Sequence, residues 1–293
     1  MKELTEHGTP DFPIFISRRF SFPYNIGVFS WHWHNDFELT YIADGRFEYS
    51  VGSDTFVVNP GETILINSKV LHQVNPLQSE NSIYYSYVFA PEFLCESSQN
   101  LIYQKYILPL VQNQNFPYYV FQQKEEWEQE FQLEIEKLNQ AADSHDFTRE
   151  LCIQNCLQKI FLLLIKNVPN VCCKSADSTD SERYSLMKIM LFIKEHYWES
   201  VTLQDMADIA NISKSSCNRL FRKTLKMTPF EYLLDFRINQ SLQLLGGSNQ
   251  SITSVASACG FHDVSYFCKV FREKKGISPQ RFRQDTKAKE QSI

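Results

Sequence analysis

The sequence predicts an α+β multidomain fold, in which an antiparallel β-barrel or sandwich with covering helices precedes an all-α domain carrying two helix-turn-helix motifs. Three observations carry this expectation: short β-branched and aromatic runs up to about residue 93, a change to helical periodicity after about residue 100, and an internal repeat near the C-terminus. The 293 residues leave room for two or three domains, at roughly 100–200 residues per domain. A hydrophobic content of 43% is enough to build packed cores.

The β region comes first. The runs FPIFISRRF, FELTYIA, RFEYSV, TFVV, TILI and SIYYSYVF read as strands. Asp44-Gly45, Gly52-Ser53 and Asn59-Pro60-Gly61-Glu62 separate them with residues that suit tight hairpins. The helical region follows. Trp127, Phe131, Ile135 and Leu138 fall at i, i+4, i+8 and i+11, an apolar stripe on a Glu-rich helix. A second helix over 147–166 carries Leu151, Cys156, Ile160, Leu163 and Leu164. Two readings stand for it: a helix that merely covers the barrel, or one that, being too apolar for one neighbour, also forms a dimer contact. The stretch NVPNVCCKSADSTDSER is poor in large apolar residues after Val171 and reads as a linker. The expected divisions are therefore 1–98 for the β domain, 99–169 for the helical segment, 170–183 for the linker and 184–286 for the all-α domain.

Charge separates the two halves. The whole chain carries −5, yet residues 184–293 hold 16 Lys and Arg against 10 Asp and Glu, while the remainder holds 13 against 24. One part can approach a polyanion and the other repels it. Eight cysteines show no C-x-x-C pair and read as small apolar residues of a reducing compartment. The apolar run IFLLLI at 160–165 is far shorter than the roughly 18 residues of a bilayer span, and MKELTEHGTPDF has no apolar h-region. A cytoplasmic protein with no membrane partner is the expectation.

The repeat pairs LQDMADIANISKSSCNRLFRKTLKMTPFEY (203–232) with ITSVASACGFHDVSYFCKVFREKKGISPQRF (252–282), at an offset of 49 up to the turn and 50 beyond it. Ala207 matches Ala256, Asn211 matches Gly260, Phe221 matches Phe271 and Pro229 matches Pro279. Asn211 and Gly260 stand where the chain must reverse, and Gly and Asn best tolerate a left-handed backbone. Thr202 with Asp205 reads as a capping box. Thr228-Pro229 and Ser278-Pro279 read as N-caps followed by proline at the first helical position. Helix-turn-helix units are thus expected at about 202–224 and 251–275.

In the second helix of the first unit, Leu220 and Phe221 face inward and leave Ser215, Asn218, Arg219 and Arg222 outward. In the second unit Phe267, Val270 and Phe271 form the core side and leave Val264, Ser265, Cys268, Lys269 and Arg272 outward. Asn and Arg can pair bidentately with adenine and guanine edges in the major groove. Arg222, Lys223, Arg272, Arg281 and Arg283 suit phosphates, which position without specifying. Two such helices can enter successive major-groove segments of double-stranded DNA, about 34 Å apart.

GFHDVSYFCKVFREKKGISPQRFR (260–283) resembles the signature of the AraC/XylS family of bacterial transcription regulators. Gly-Phe, Asp-x-Ser-Tyr-Phe, Phe-Arg/Lys, Gly-x-Ser-Pro and a closing Arg recur there at this spacing. The resemblance covers roughly 184–285, and the preceding barrel with helices resembles the family's cupin-type effector domain. It implies a base-reading face of Ser215, Asn218 and Arg219, then Ser265, Cys268 and Lys269. It also implies a homodimer and transcriptional activation through contact with RNA polymerase.

WHWHNDFE (31–38) opens a stretch that resembles the first cupin motif, His-x-His, three residues, Glu, six residues, Gly. On a strand His32 and His34 would project to one face, with Trp31 and Trp33 to the other, and Glu38 would join the histidines. The resemblance implies His72 as a fourth ligand in metal-binding cupins. Asn67 and Lys69 replace the proline and glycine of that pattern. Imidazoles with a carboxylate suit Fe(II), Mn(II) or Zn(II). The same polar set, with aromatic residues nearby, suits a small organic effector such as a sugar or glycoside. The favoured reading has an organic ligand and no cofactor, with a divalent metal as the alternative. At the level of function, a ligand-responsive regulator stands against a metal-dependent cupin enzyme or metal sensor tethered to a DNA-binding domain.

Overall fold

The computed structural model describes residues 8–9, 11–21, 31–77, 82–95, 97–173 and 180–290. Two compact units emerge, one containing residues 33–173 together with the N-terminal strand, the other containing residues 180–290.

The first unit holds strands β1 (Ile14–Ser21), β2 (Phe37–Asp44), β3 (Phe47–Val51), β4 (Asp54–Val58), β5 (Thr63–Ile66), β6 (His72–Pro76), β7 (Ser82–Phe89) and β8 (Tyr118–Phe121). All six expected runs form strands. They do not close into one barrel: among the described residues they make a five-stranded antiparallel sheet, β1-β7-β2-β5-β8, and a three-stranded one, β4-β3-β6. The reason is local. Both edges of β2 pair with β5 and β7, so β3, although next in the chain, must start a second sheet with β4 and β6. Two strands were not legible in advance. β6 is HQVNP, poor in strand-forming residues, and β8 lies in the stretch expected to be purely helical, where it pairs with β5.

Alternation along β2 divides two environments. Phe37 and Leu39 join a core shared with Tyr87, Phe89, Phe121 and the helices α2 (Glu126–Asp143) and α3 (Arg149–Asn167). Glu38 and Thr40 project to the opposite face. Phe131, Ile135 and Leu138 of α2 are fully buried, with the Phe131 ring stacked 3.7 Å from that of Phe121. Trp127 packs at the edge of the same cluster. On α3, Cys156, Ile160, Leu163 and Leu164 are buried, but Leu151 is 67% exposed and departs from the expected stripe. Nine residues, or two and a half turns, separate it from Ile160 and place it on the opposite face. A π-helical turn at Tyr103–Ile107 and the short helix α1 (Leu108–Gln112) lead towards β8.

The second unit contains α4 (Asp180–His196), α5 (Leu203–Ile209), α6 (Lys214–Leu225), α7 (Pro229–Gly247), α8 (Ile252–Ala258), α9 (Val264–Lys275) and α10 (Pro279–Glu290). Helix α4 begins inside the stretch expected to be linker. Asp180, Ser181 and Glu182 are polar enough to read as linker, yet acidic and hydroxyl residues also favour a helix N-terminus. The expected caps form: Thr202 and Asp205 make a reciprocal capping box, as do Thr228 and Glu231 ahead of Pro229, and the Arg281 amide donates to Ser278.

Candidate nucleic-acid interface and effector site

Helices α5 and α6 form one helix-turn-helix, and α8 and α9 the other. Each reverses on a left-handed residue, Asn211 at φ 52° and Gly260 at φ 81°. The second helices are also capped in parallel, α6 by Ser213 and α9 by Asp263, with left-handed residues Lys226 and Gly276 closing them. Gly260 has a further role. A Cβ there would lie 2.6 Å from the Tyr197 carbonyl oxygen and 2.9 Å from the Trp198 Cα. Beside it the Arg237 guanidinium donates to the carbonyls of Tyr197 (2.7 Å) and Glu199 (2.8 Å).

On α6, Cys217, Leu220, Phe221 and Leu225 are buried. Ser215, Arg219, Arg222 and Lys223 are exposed, and Asn218 is half-buried. Lys223 pairs with Glu182 at 2.6 Å and holds that carboxyl below its usual range; an exposed pair of this kind is cheap to exchange for a phosphate. On α9, Phe267, Val270 and Phe271 are buried while Ser265, Lys269 and Arg272 are exposed. Val264 and Cys268 do not sit wholly outward as expected. Both pack partly against the core of the second unit, because α9 buries a wider arc than three core positions define. Arg281 is exposed and ion-paired with Asp285 at 2.9 Å. Arg283 departs from its expected place on the surface. Its Nε and Nη2 are buried without a hydrogen-bond partner among the described residues, since α10 turns the flank of buried Phe282 inward. Lys214 and Tyr266 are exposed on these helices and were not singled out from the sequence. Helical phase could have found them, because Lys214 lies four residues before Asn218 and Tyr266 three before Lys269.

In the first unit, His34, Glu38 and His72 come together, each offering one potential ligand atom within 4.8 Å of the others; His32, expected to join them, is buried and falls with the second unit. The stretch from Trp31 to Asp36 is not a regular strand, and Trp31, His32, Trp33 and His34 are all buried instead of alternating between faces. Glu38 belongs to the five-stranded sheet and His72 to the three-stranded one, so their 3.1 Å contact bridges the two. Glu38 Oε2 also faces His34 Nε2 at 3.4 Å, while Oε1 accepts from the Thr40 hydroxyl. Burial raises the Glu38 carboxyl, but hydrogen bonds and charge from His34 and His72 outweigh it and hold the group well below its usual range. Tyr49 is pushed well up by burial and by the Glu38 charge.

The loop before His72 replaces the missing proline and glycine by other means. Lys69 adopts φ 62°, and its amide donates to the His34 carbonyl at 2.7 Å. Asn67 is buried, and its amide group donates to the carbonyls of Leu110 and Phe116 at 2.8 and 2.9 Å. The Ser68 hydroxyl donates to the Asn35 carbonyl. The loop is thereby tied to the backbone of His34 and Asn35 and to the connection between α1 and β8. A separate groove of about 490 Å³ lies between α3 and the π-helical turn, lined by Leu94, Ile102, Tyr106, Phe161, Leu162 and Ile165.

An all-α unit presenting two basic helices of repeated design, joined to a β unit with a buried cluster of potential ligands, defines a DNA-binding regulator with its own sensing domain. Comparison with known proteins agrees. Residues 206–285 match a helix-turn-helix domain family, and residues 18–180 match the AraC-like ligand binding domain. The chain belongs to the AraC family of transcription regulators. It is 29% identical to the uncharacterized HTH-type transcriptional regulator YdeC of Bacillus subtilis, covering 97% of this chain and 96% of that one. It is 23% identical to the melibiose operon regulatory protein of Escherichia coli K12, covering 89% and 86%. In fold it is similar to ToxT of Vibrio cholerae strain SCE256 solved with an unsaturated fatty acid, at TM-score 0.53 and 13% identity over 92% of this chain and 94% of that one. No helix among the described residues is long and apolar enough to cross a membrane.

Proposed function

We propose that this protein is a homodimeric transcription regulator that reads its operator with α6 and α9 and responds to a carbohydrate effector received by the N-terminal unit. The observation that carries DNA reading is the pair of repeated helices, with Arg219 and Arg222 exposed on one and Lys269 and Arg272 on the other. A basic, twice-repeated surface of this type suits two major-groove segments. The carbohydrate class is supported by the similarity to the melibiose operon regulatory protein and by the donors and acceptors of the buried cluster. The relatives being transcription regulators, the enzyme reading has less support.

Dimerisation is supported by the exposed side of α3. Leu162 is 59% exposed and borders the groove beside Ile102 and Tyr106, an apolar surface of the kind that marks an interaction site. Ile160 is fully buried within its own unit and has no part in such a contact.

The test is binding of the full chain to duplexes selected from a random library, followed by fluorescence anisotropy across a salt series. Affinity is expected to fall steeply with salt. Arg219→Ala is expected to cost about 1–3 kcal/mol and to relax preference at one base pair. Uniform weakening across all duplexes would reassign Arg219 to phosphate, and a salt-insensitive or absent interaction would defeat the reading.

A further inference from the structure

We propose that Arg237 is the positioning residue that fixes the separation and rotational phase of the two recognition helices, and so sets the spacing between the two operator segments that one protomer accepts. This rests on the reading that α6 and α9 both enter DNA, and concerns how the two are held.

One helix joins the two helix-turn-helix motifs. Near its start α7 packs on the first, where the Tyr232 ring meets that of Phe221 at 5.8 Å. Towards its end Leu242 and Leu245 belong to the core that holds α8 and α9. Apolar packing is non-directional, so contacts of this kind at the two ends of one helix leave each motif free to rock on its own attachment. A second tie between them removes that freedom. Arg237 stands midway along α7, between the two attachments.

Arg237 supplies the tie. It donates through Nε to the Tyr197 carbonyl at 2.7 Å and through Nη2 to the Glu199 carbonyl at 2.8 Å. Both acceptors lie in the connection from α4 to α5, which leads into the first motif. The same guanidinium stands 5.8 Å from the centre of the Phe261 ring, buried in the turn between α8 and α9. A planar fork with fixed N–H directions holds two carbonyls in one geometry, which a flexible ammonium does not. The two backbones then touch. A Cβ on Gly260 would reach to 2.6 Å from the Tyr197 carbonyl oxygen, and the Ser200 hydroxyl meets His262 Nε2 at 3.3 Å.

Neighbours of Arg237 on α7 hold the second recognition helix directly. Asp235 pairs with Lys274 at 2.7 Å, and the Asn239 side-chain oxygen accepts from Lys275 Nζ at 2.8 Å. The entry to the first motif and the last turn of α9 are thus fastened to one short stretch of α7. In B-DNA each added base pair moves a major-groove segment by about 3.4 Å and turns it by about 34°. A rigid pair of helices matched to one spacing cannot follow that step, whereas a pair free to rock can. A tie that served only to stabilise the fold would lower the melting temperature and leave the preferred spacing unchanged.

The full chain would be bound to a duplex selected from a random library, and to versions with one base pair inserted or removed between the two segments that one protomer contacts, with anisotropy read at one salt concentration. For the wild type each change of spacing is expected to weaken binding about tenfold or more, on the scale of one lost base contact. For Arg237→Met, which keeps the aliphatic stem without the fork, the loss is expected to shrink to about threefold or less, below the scale of one such contact. Arg237→Lys, with one nitrogen in place of the fork, is expected to fall between the two, and it decides if Arg237→Met does not fold. Gly276→Ala controls for stability: its Cβ meets nothing within 4 Å, so it should melt lower and keep the wild-type spacing ratio. A folded Arg237 variant with the wild-type ratio would overturn the positioning role. A wild type that binds all spacings equally would overturn it as well, whatever the variants do, and would leave DNA recognition intact. A wild type that binds no selected duplex would overturn the reading of α6 and α9 and the positioning role with it.

Discussion

Replacing Gly260 with alanine tests whether the turn of the second helix-turn-helix is held by backbone conformation alone or also by close packing. Gly260 and Gly276 have nearly the same left-handed backbone, φ 81° and 75°. Their surroundings differ. A Cβ at Gly276 meets nothing within 4 Å, whereas one at Gly260 would press to 2.6 Å on the Tyr197 carbonyl oxygen, 2.9 Å on the Trp198 Cα and 3.0 Å on the Arg237 guanidinium carbon. Two of these are backbone atoms, and the third belongs to a side chain anchored by two hydrogen bonds, so none can yield cheaply. Gly276→Ala should therefore cost only the left-handed penalty, about 1–2 kcal/mol. Gly260→Ala should cost that plus an overpacking contribution of about 1–3 kcal/mol. At about 4–8 °C per kcal/mol for a domain of this size, the Gly260 variant should melt at least about 4 °C below the Gly276 variant. The assay is thermal unfolding of both variants in the full chain, followed by circular dichroism and by loss of DNA binding on heating. Equal melting of the two variants would refute the close-approach argument and leave φ as the only reason for glycine.

Two further outcomes follow from the same geometry. Lys226 closes α6 at φ 58°, where the second repeat has Gly276; Lys226→Gly should raise the melting temperature by relieving about 1 kcal/mol of backbone strain, and a lower melting temperature would show that the Lys226 side chain, whose Nζ donates to the Lys223 carbonyl, outweighs it. Leu162→Glu should give folded monomers by sedimentation velocity, whereas Ile160→Glu should unfold the first unit, because Ile160 is fully enclosed; an unchanged dimer in the Leu162 variant would remove this face of α3 from the interface.

Much of this molecule was legible because its signals are local. Apart from β6, the strands between residues 12 and 93 announced themselves by β-branched and aromatic residues between glycine turns, and the helix caps by residue type, Thr202 with Asp205 three positions on and Thr228 and Ser278 each with the proline that follows. Asn211 and Gly260 were readable as left-handed turn residues for the same reason. What failed to show was set by partners distant in the chain. β8 is a strand because the free edge of β5 takes it, not because YYVF differs from other apolar tetrapeptides. Val264, Cys268 and Arg283 departed from their expected surface positions because the arc that α9 and α10 bury depends on the whole core of the unit.

The candidate site divides along the same line. His32, His34, Glu38 and His72 could be listed from the resemblance to the cupin motif, but the meeting of His34, Glu38 and His72 depends on two sheets, since β2 uses both edges and sends β3 and β6 into a second sheet. The replacement of a glycine by Lys69 looked like a defect until the left-handed backbone at that lysine, and its bond to the His34 carbonyl, placed His72 beside Glu38. Residue order sets which groups are available and which local turns they prefer, because those energies arise within a few positions. Whether Glu38 and His72 meet at 3.1 Å is decided by long-range packing, because only the folded sheets bring residues 34 positions apart into one buried space.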